Sequence, residues 1–242
     1  MLKVLEVPRG SEYITHLHAQ LEEGMAGIPV TTNESLSVIT GATARSEWDR
    51  LSKSYSQVSV LRDALPVILG ADVADANVQD PIGLRGDWVL DREVHPRGRE
   101  SDPGVNQIKS GLIVNSMTHD NKIVAMCASV IRGDPAGEEE VQAFSLETTS
   151  TNFLDDVKEH FIDSNGQLQE RSGGFWDDLL DCLAGNCGQT CLSAAISCTK
   201  GSWAEFFTCL AGRCGLCVVK CHACAGCKCS YWCVPVAGCC GQ

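Results

Sequence analysis

Positive charge and aromatic rings are scarce in this chain of 242 residues: 19 Lys and Arg face 31 Asp and Glu, and Phe, Trp and Tyr make up 6%. The net charge of -12 argues against a protein that wraps nucleic acid or clings to anionic lipid, because both partners need clustered cations to replace counterions. Catalytic signatures are missing as well. There is no G-x-x-x-x-G-K-S/T phosphate loop, no G-x-S-x-G elbow, no H-E-x-x-H helix and no G-x-G-x-x-G turn, so no enzyme, catalytic residue or cofactor is expected. The opening MLKVLEVPRGSEYITHLHAQLEEGM lacks the basic start, continuous apolar stretch and small-residue cleavage site of a secretory signal. Adjacent carboxylates such as Asp155-Asp156 and Asp177-Asp178 point in different directions on a helix and favour helix starts rather than a shared proton.

Cysteine is almost absent from the first three-quarters of the chain. Only Cys127 precedes Cys182, and the other fourteen of the 15 lie between Cys182 and Cys240. Residues 1–174 carry 27 acidic and 15 basic residues, whereas the last 68 carry four of each. The tail is therefore neutral and about one-fifth cysteine, well above the ~8–10% that already marks a disulfide scaffold in a short chain. Two chemistries are joined end to end.

In the acidic part, Ile14, Leu17, His18 and Leu21 fall at helical spacing behind Ser11, which predicts an amphipathic helix over 11–24. His16 and His18 have no second ligand pair beside them and read as structural. SEWDRLSKSY reads as helix, SVLRDALPVIL is ambiguous and GDWVLDREV reads as a strand; 95–104 is a Pro-, Gly- and charge-rich exposed loop. The clearest β signal is SGLIVNSMTHDNKIVAMCASVIRG, two β-branched runs around a His119-Asp120-Asn121 turn, with EVQAFSLETT as a third strand. Cys127 sits in the second run, where a cysteine behaves as a small hydrophobe. Phe153, Leu154, Val157 and Phe161 predict a short helix that gives way to a polar linker over 163–174, ending in Gly173-Gly174. The expected organisation is an α+β domain over 1–162, a linker over 163–174 and a small, all-α, disulfide-rich helical domain over 175–242.

The tail is a duplication. WDDLLDCLAGNCG at 176–188 and WAEFFTCLAGRCG at 203–215 share seven of thirteen positions at an offset of 27, and with one residue dropped Cys191 aligns with Cys217 and Cys198 with Cys224. Trp176, Leu179, Leu180 and Leu183 recur at helical spacing, as do Trp203, Phe206, Phe207 and Leu210. Ser202 and Glu205 form a capping box for the second copy, and Gly185 and Gly212 are expected to stop the two helices. Beyond each stop a second helix presents cysteines on one face: Cys187, Cys191 and Cys198 in the first copy, and Cys214, Cys217, Cys221 and Cys224 in the second. Packing of two such faces brings sulfurs to bridging distance. Including Cys182, Cys209, Cys227, Cys229, Cys233, Cys239 and Cys240, all fourteen are candidates for disulfides, with open connectivity.

Cross-links worth ~2–4 kcal/mol each offset the small core of a 68-residue bundle and persist outside a reducing cytosol. The alternative for the same residues is metal: Cys214-x2-Cys217, Cys221-x2-Cys224 and Cys224-x2-Cys227, with His222 among them, make an intracellular zinc- or iron-sulfur-binding tail the second reading. Cys182 to Thr199 runs eighteen residues without charge. That is the lower limit for a membrane span, but polar residues and glycines dilute it, leaving a buried helix or an interfacial hairpin.

Gly173-Gly174, just before the composition changes, resembles the double-glycine site at which peptidase-containing exporters remove leaders, with Phe175 as the new first residue. An acidic front part, a Gly-Gly boundary and a cysteine-dense neutral helical C-terminus together resemble the precursors of halocin-like archaeal bacteriocins, over the last 68 residues and in general arrangement. In that family the C-terminal peptide is released by proteolysis, is held by disulfides and kills related cells, and the N-terminal part can serve as an immunity protein. The resemblance implies a secreted antimicrobial peptide starting at Phe175 and cross-linked among Cys182 to Cys240. It also implies a protease and an exporter as processing partners, a membrane or envelope receptor on the target cell, and a front part that stays cytoplasmic or cell-associated.

Overall fold

A computed structural model describes residues 35–89, 107–134, 139–149, 157–172, 174–198 and 202–227. The expected helix over 11–24 with His16 and His18, the loop over 95–104, and Cys229, Cys233, Cys239 and Cys240 lie outside the described residues.

The predicted hairpin forms the centre of the sheet. β-Branched and apolar residues extend the chain as β4 (Gln107–His119) and β5 (Lys122–Asp134), paired antiparallel from Gln107↔Asp134 to His119↔Lys122. Asp120 closes the turn at a φ of 52°, a left-handed conformation that a short polar side chain tolerates. Beyond β5 follow β6 (Glu139–Thr149), β7 (Lys158–Ile162) and β8 (Leu168–Ser172). On the other side lie β3 (Ile82–Val89) and the edge strand β1 (Ser35–Ile39), with β2 (Asn77–Val78) pairing the end of β4. All pairings are antiparallel, in the order β1-β3-β4-β5-β6-β7-β8.

Residues 123–131 of β5 are buried on both faces, so they read as one apolar run rather than as an alternation. Helices cover both sides. On one face lie α1 (Gly41–Ser54), α2 (Ser56–Asp63) and α3 (Leu65–Leu69), whose Trp48, Leu51, Val58, Leu61 and Ile68 pack onto Ile113, Met117, Val124, Met126 and Val141. On the other lie α4 (Phe175–Asn186), α5 (Gly188–Ser197), α6 (Trp203–Cys214) and α7 (Leu216–Cys227). Their core is continuous with Leu84, Leu112, Cys127 and Phe144 of the sheet. The chain is thus an α+β unit followed by a disulfide-rich helical unit, as the composition predicts, and the second is seated on the first.

One segment differs from expectation. Residues 158–162 form β7 rather than helix, and the polar stretch read as a linker holds the exposed turn at 164–167 and the edge strand β8. Phe161 and Val157 satisfy a helical repeat, but Glu159 and Phe161 also alternate, and pairing of Phe161 with Phe144 and of Glu159 with Leu146 decides for the strand.

Candidate functional site

The two copies of the repeat fold as two helix pairs. The predicted capping box starts α6: Ser202 Oγ accepts from the Glu205 amide at 3.3 Å, and the Glu205 carboxylate accepts from the Ser202 amide. Asp177 and Asp178 occupy the first turn of α4, where they complement the helix dipole. The helices run past the glycines expected to stop them. Gly185 and Gly212 are helical, and the breaks fall at Cys187 and at Gly215, whose φ of +58° turns α6 into α7.

Four disulfides tie the first pair to the second in a nested ladder: Cys198–Cys209 innermost, then Cys191–Cys214, Cys187–Cys217 and Cys182–Cys221. Cα separations of 5.0 to 5.8 Å lie within the normal range for a bridge. The duplication makes the ladder nearly symmetric, since the middle two bridges exchange equivalent positions of the two copies. The mate of Cys198–Cys209 would be Cys182–Cys224; Cys182 instead meets Cys221, one turn earlier on α7. The two outer bridges abut, with Cys187 Sγ 3.5 Å from Cys221 Sγ, and the sulfurs of Cys187, Cys217 and Cys221 lie within 4.8 Å of one another. Of the fourteen predicted cysteines, eight are placed in bridges.

Behind the ladder the tail has an aromatic core of its own. Trp176 and Trp203 meet edge to face with centroids 5.2 Å apart, and Phe206 and Phe207 complete the group. The other side of the tail rests on the sheet, where α7 crosses β3, β4 and β5. Gly86 makes the approach possible, since a Cβ there would come within 2.7 Å of Leu216 and Val219. His222, fully buried, sets its Nδ1 3.2 Å from the Val219 carbonyl oxygen and 3.2 Å from Ser110 Oγ. A carbonyl only accepts, so the proton resides on Nδ1. Burial lowers the pKa of His222 to about 4. Cys127 is free and fully buried in the sheet face beneath the tail. Burial, reinforced by the charge of Glu159, pushes its thiol well above the ordinary value, which makes it inert core.

The joint between sheet and tail is a charged clasp that sequence reasoning missed. Glu159 on β7 is completely buried, accepts the Phe175 amide proton at 2.7 Å and pairs with Arg171 of β8. The Arg171 guanidinium stacks over the Phe161 ring at 4.6 Å, and the Phe175 ring stacks on Phe144 at 4.1 Å. Gly174 has a φ of +83°, which favours glycine, and a Cβ on it would push the Arg171 guanidinium out of the clasp. Of the three residues expected at a processing site, Gly174 and Phe175 are therefore locked in place, and Gly173 lies outside the described residues. A lone acidic residue between Lys158 and His160 gives no signal of such burial in the sequence.

No family model matches the chain, and no curated protein or solved structure matches it. What the site does is decided by its own sulfurs, rings and charges. Among the described residues no single helix is long and apolar enough to cross a membrane; α6 and the first part of α7 reach that composition only as a pair bent by 117°. The uncharged run from Cys182 to Thr199 is broken at Cys187 between α4 and α5. Bridges of this number fit an oxidising compartment.

Proposed function

We propose that the chain is the latent precursor of a secreted antimicrobial peptide, in which the tail from Phe175 onward is the active unit and the sheet is the seat that covers its apolar side until release. The observation that carries this reading is the closure of all four described bridges within residues 182–221, none reaching the sheet. The backbone is then the one described covalent link between the two units, so a single cut frees a stapled bundle that keeps its Trp and Phe core. Release uncovers Phe175, Leu216 and Val219, an apolar face on a tail with no net charge. Such a peptide acts on the envelope of a competing cell through hydrophobic contact or a receptor rather than by cationic attraction.

Because Phe175 is buried in the clasp, the cut at Gly174–Phe175 requires the clasp to open first, by local unfolding of the seated chain. The test is non-reducing intact-mass analysis of host cells and medium, followed by a killing assay with the purified fragment and the uncut chain. A fragment in the medium starting at Phe175, oxidised and active where the uncut chain is not, is the expected result. Full-length chain retained in working cells with its cysteines reduced contradicts it.

A further inference from the structure

We infer that Cys182, Cys187, Cys217 and Cys221, when reduced, form a tetrathiolate site for a thiophilic divalent cation of the zinc type. This does not depend on the antimicrobial reading. The observation behind it is the abutment of the two outer bridges. A tetrahedral zinc with Zn–S bonds of ~2.3 Å separates its sulfurs by ~3.8 Å. Cys187 and Cys221 already stand 3.5 Å apart, Cys217 lies within 4.8 Å of both, and Cys182 is bonded to Cys221. Opening each bridge and admitting the ion requires the paired sulfurs to part by under ~2 Å and Cys182, which stands outside the group of three, to swing toward Cys187 and Cys217, a side-chain rotation with the Cα atoms still 5.3 and 5.8 Å apart.

The two supporting segments have metal-site spacing. Cys182-x4-Cys187 ends α4, and Cys217-x3-Cys221 places two ligands one turn apart on one face of α7. Cys221 is fully buried and Cys182 nearly so, which keeps competing water ligands away. The Cys214-x2-Cys217 pair does not supply this set, since Cys214 is bonded to Cys191 and only Cys217 of that pair enters the cluster. The reaction balances with a dithiol as reductant: each bridge takes up two electrons and two protons, the dithiol leaves as its disulfide, and the cation displaces four protons as four metal–sulfur bonds form. The same four residues thus serve a reducing compartment as a metal site and an oxidising one as two covalent staples.

The test is alkylation mapping of the full wild-type chain, reduced without oxygen and loaded with zinc. Protection of Cys182, Cys187, Cys217 and Cys221, with Cys191, Cys198, Cys209 and Cys214 labelled, is expected. Labelling of the first four while zinc is bound elsewhere, or no zinc uptake at all, overturns the inference. In parallel, the double variant C187S/C217S is expected to bind one cobalt ion fewer than wild type and lose the absorption of a tetrahedral all-thiolate centre, whereas C191S/C214S keeps both. Equal losses in the two variants also overturn it.

Discussion

Two helical layers cover the two faces of one sheet, and they are held by different means. The α1–α3 layer carries large aliphatic and aromatic side chains at helical spacing, and its ion pairs, such as Arg45–Asp80, lie at the exposed rim. The α4–α7 layer is rich in Ala, Gly and Cys; α7 reads LCVVKCHACAGC. Small side chains bury little apolar area each, at ~25 cal/mol per Å²; Phe175, Leu179, Trp203, Phe206, Phe207 and Leu210 are fully buried beside them, and four cross-links are added. One sheet thus hosts two layers that both bury apolar side chains against it, and only the α4–α7 layer is in addition cross-linked to itself by sulfur.

Reduction breaks the comparison most severely. With a chelator present, loss of four cross-links worth ~2–4 kcal/mol each is expected to leave α4–α7 without fixed packing while α1–α3 keep theirs. Hydrogen exchange reads this directly: tail amides become labile and those of α1 and α2 stay protected. Equal deprotection of both layers would refute it.

The clasp gives the next effect. Glu159→Ala strands the Arg171 charge and the buried Phe175 amide, and removal of one member of a buried pair costs ~3–5 kcal/mol. Asp80→Ala, which removes the exposed partner of Arg45, is expected to cost under ~1 kcal/mol. Urea denaturation compares the two, and a similar small loss in both would show that the clasp contributes nothing special.

Acid tests the seat. His222 has its pKa lowered to about 4 by burial against an ordinary value of 6.5, so below pH 6.5 the unfolded chain binds the proton first. Stability is therefore full above pH 6.5 and falls as pH drops toward 4, by ~3 kcal/mol at ~1.4 kcal/mol per unit. His222→Gln flattens that dependence in the oxidised protein; an unchanged pH profile contradicts the buried neutral imidazole. The smallest effects come from two glycines. Gly86→Ala thrusts a methyl group into Leu216 and Val219 and costs ~1–3 kcal/mol, whereas Gly212→Ala, helical with open space around it, gains ~0.5–1 kcal/mol. Melting temperatures that move in opposite directions are the expected readout.

Much of this was legible in the chain because local rules suffice for it. The β4–β5 hairpin follows from β-branched runs around Asp120, the helix pairs from the repeat, and the α6 start from Ser202 and Glu205. The bridge partners were not legible, since eight sulfurs on helix faces admit many pairings and only the antiparallel packing of the two copies selects the nested one. The β7–β8 hairpin was hidden because Val157 and Phe161 mimic a helical repeat and β8, at the sheet edge, is polar. Glu159 was hidden for a different reason: its partners come from β8 and from the start of α4, and nothing in a local window announces that a carboxylate will be buried by them. Gly185 and Gly212 give a false stop signal because a glycine caps a helix only where it turns left-handed; both stay helical, and the breaks come later, at right-handed Cys187 in the first copy and at Gly215, with φ +58°, in the second.

The tail is stapled to itself by sulfur and joined to the sheet by packing and the Glu159 clasp, with no described bridge between them. Peptide mapping of the oxidised chain without reduction tests it most directly. The account predicts Cys182–Cys221, Cys187–Cys217, Cys191–Cys214 and Cys198–Cys209, with Cys127 free. A bridge from Cys127 to any tail cysteine would join the two units covalently and contradict it.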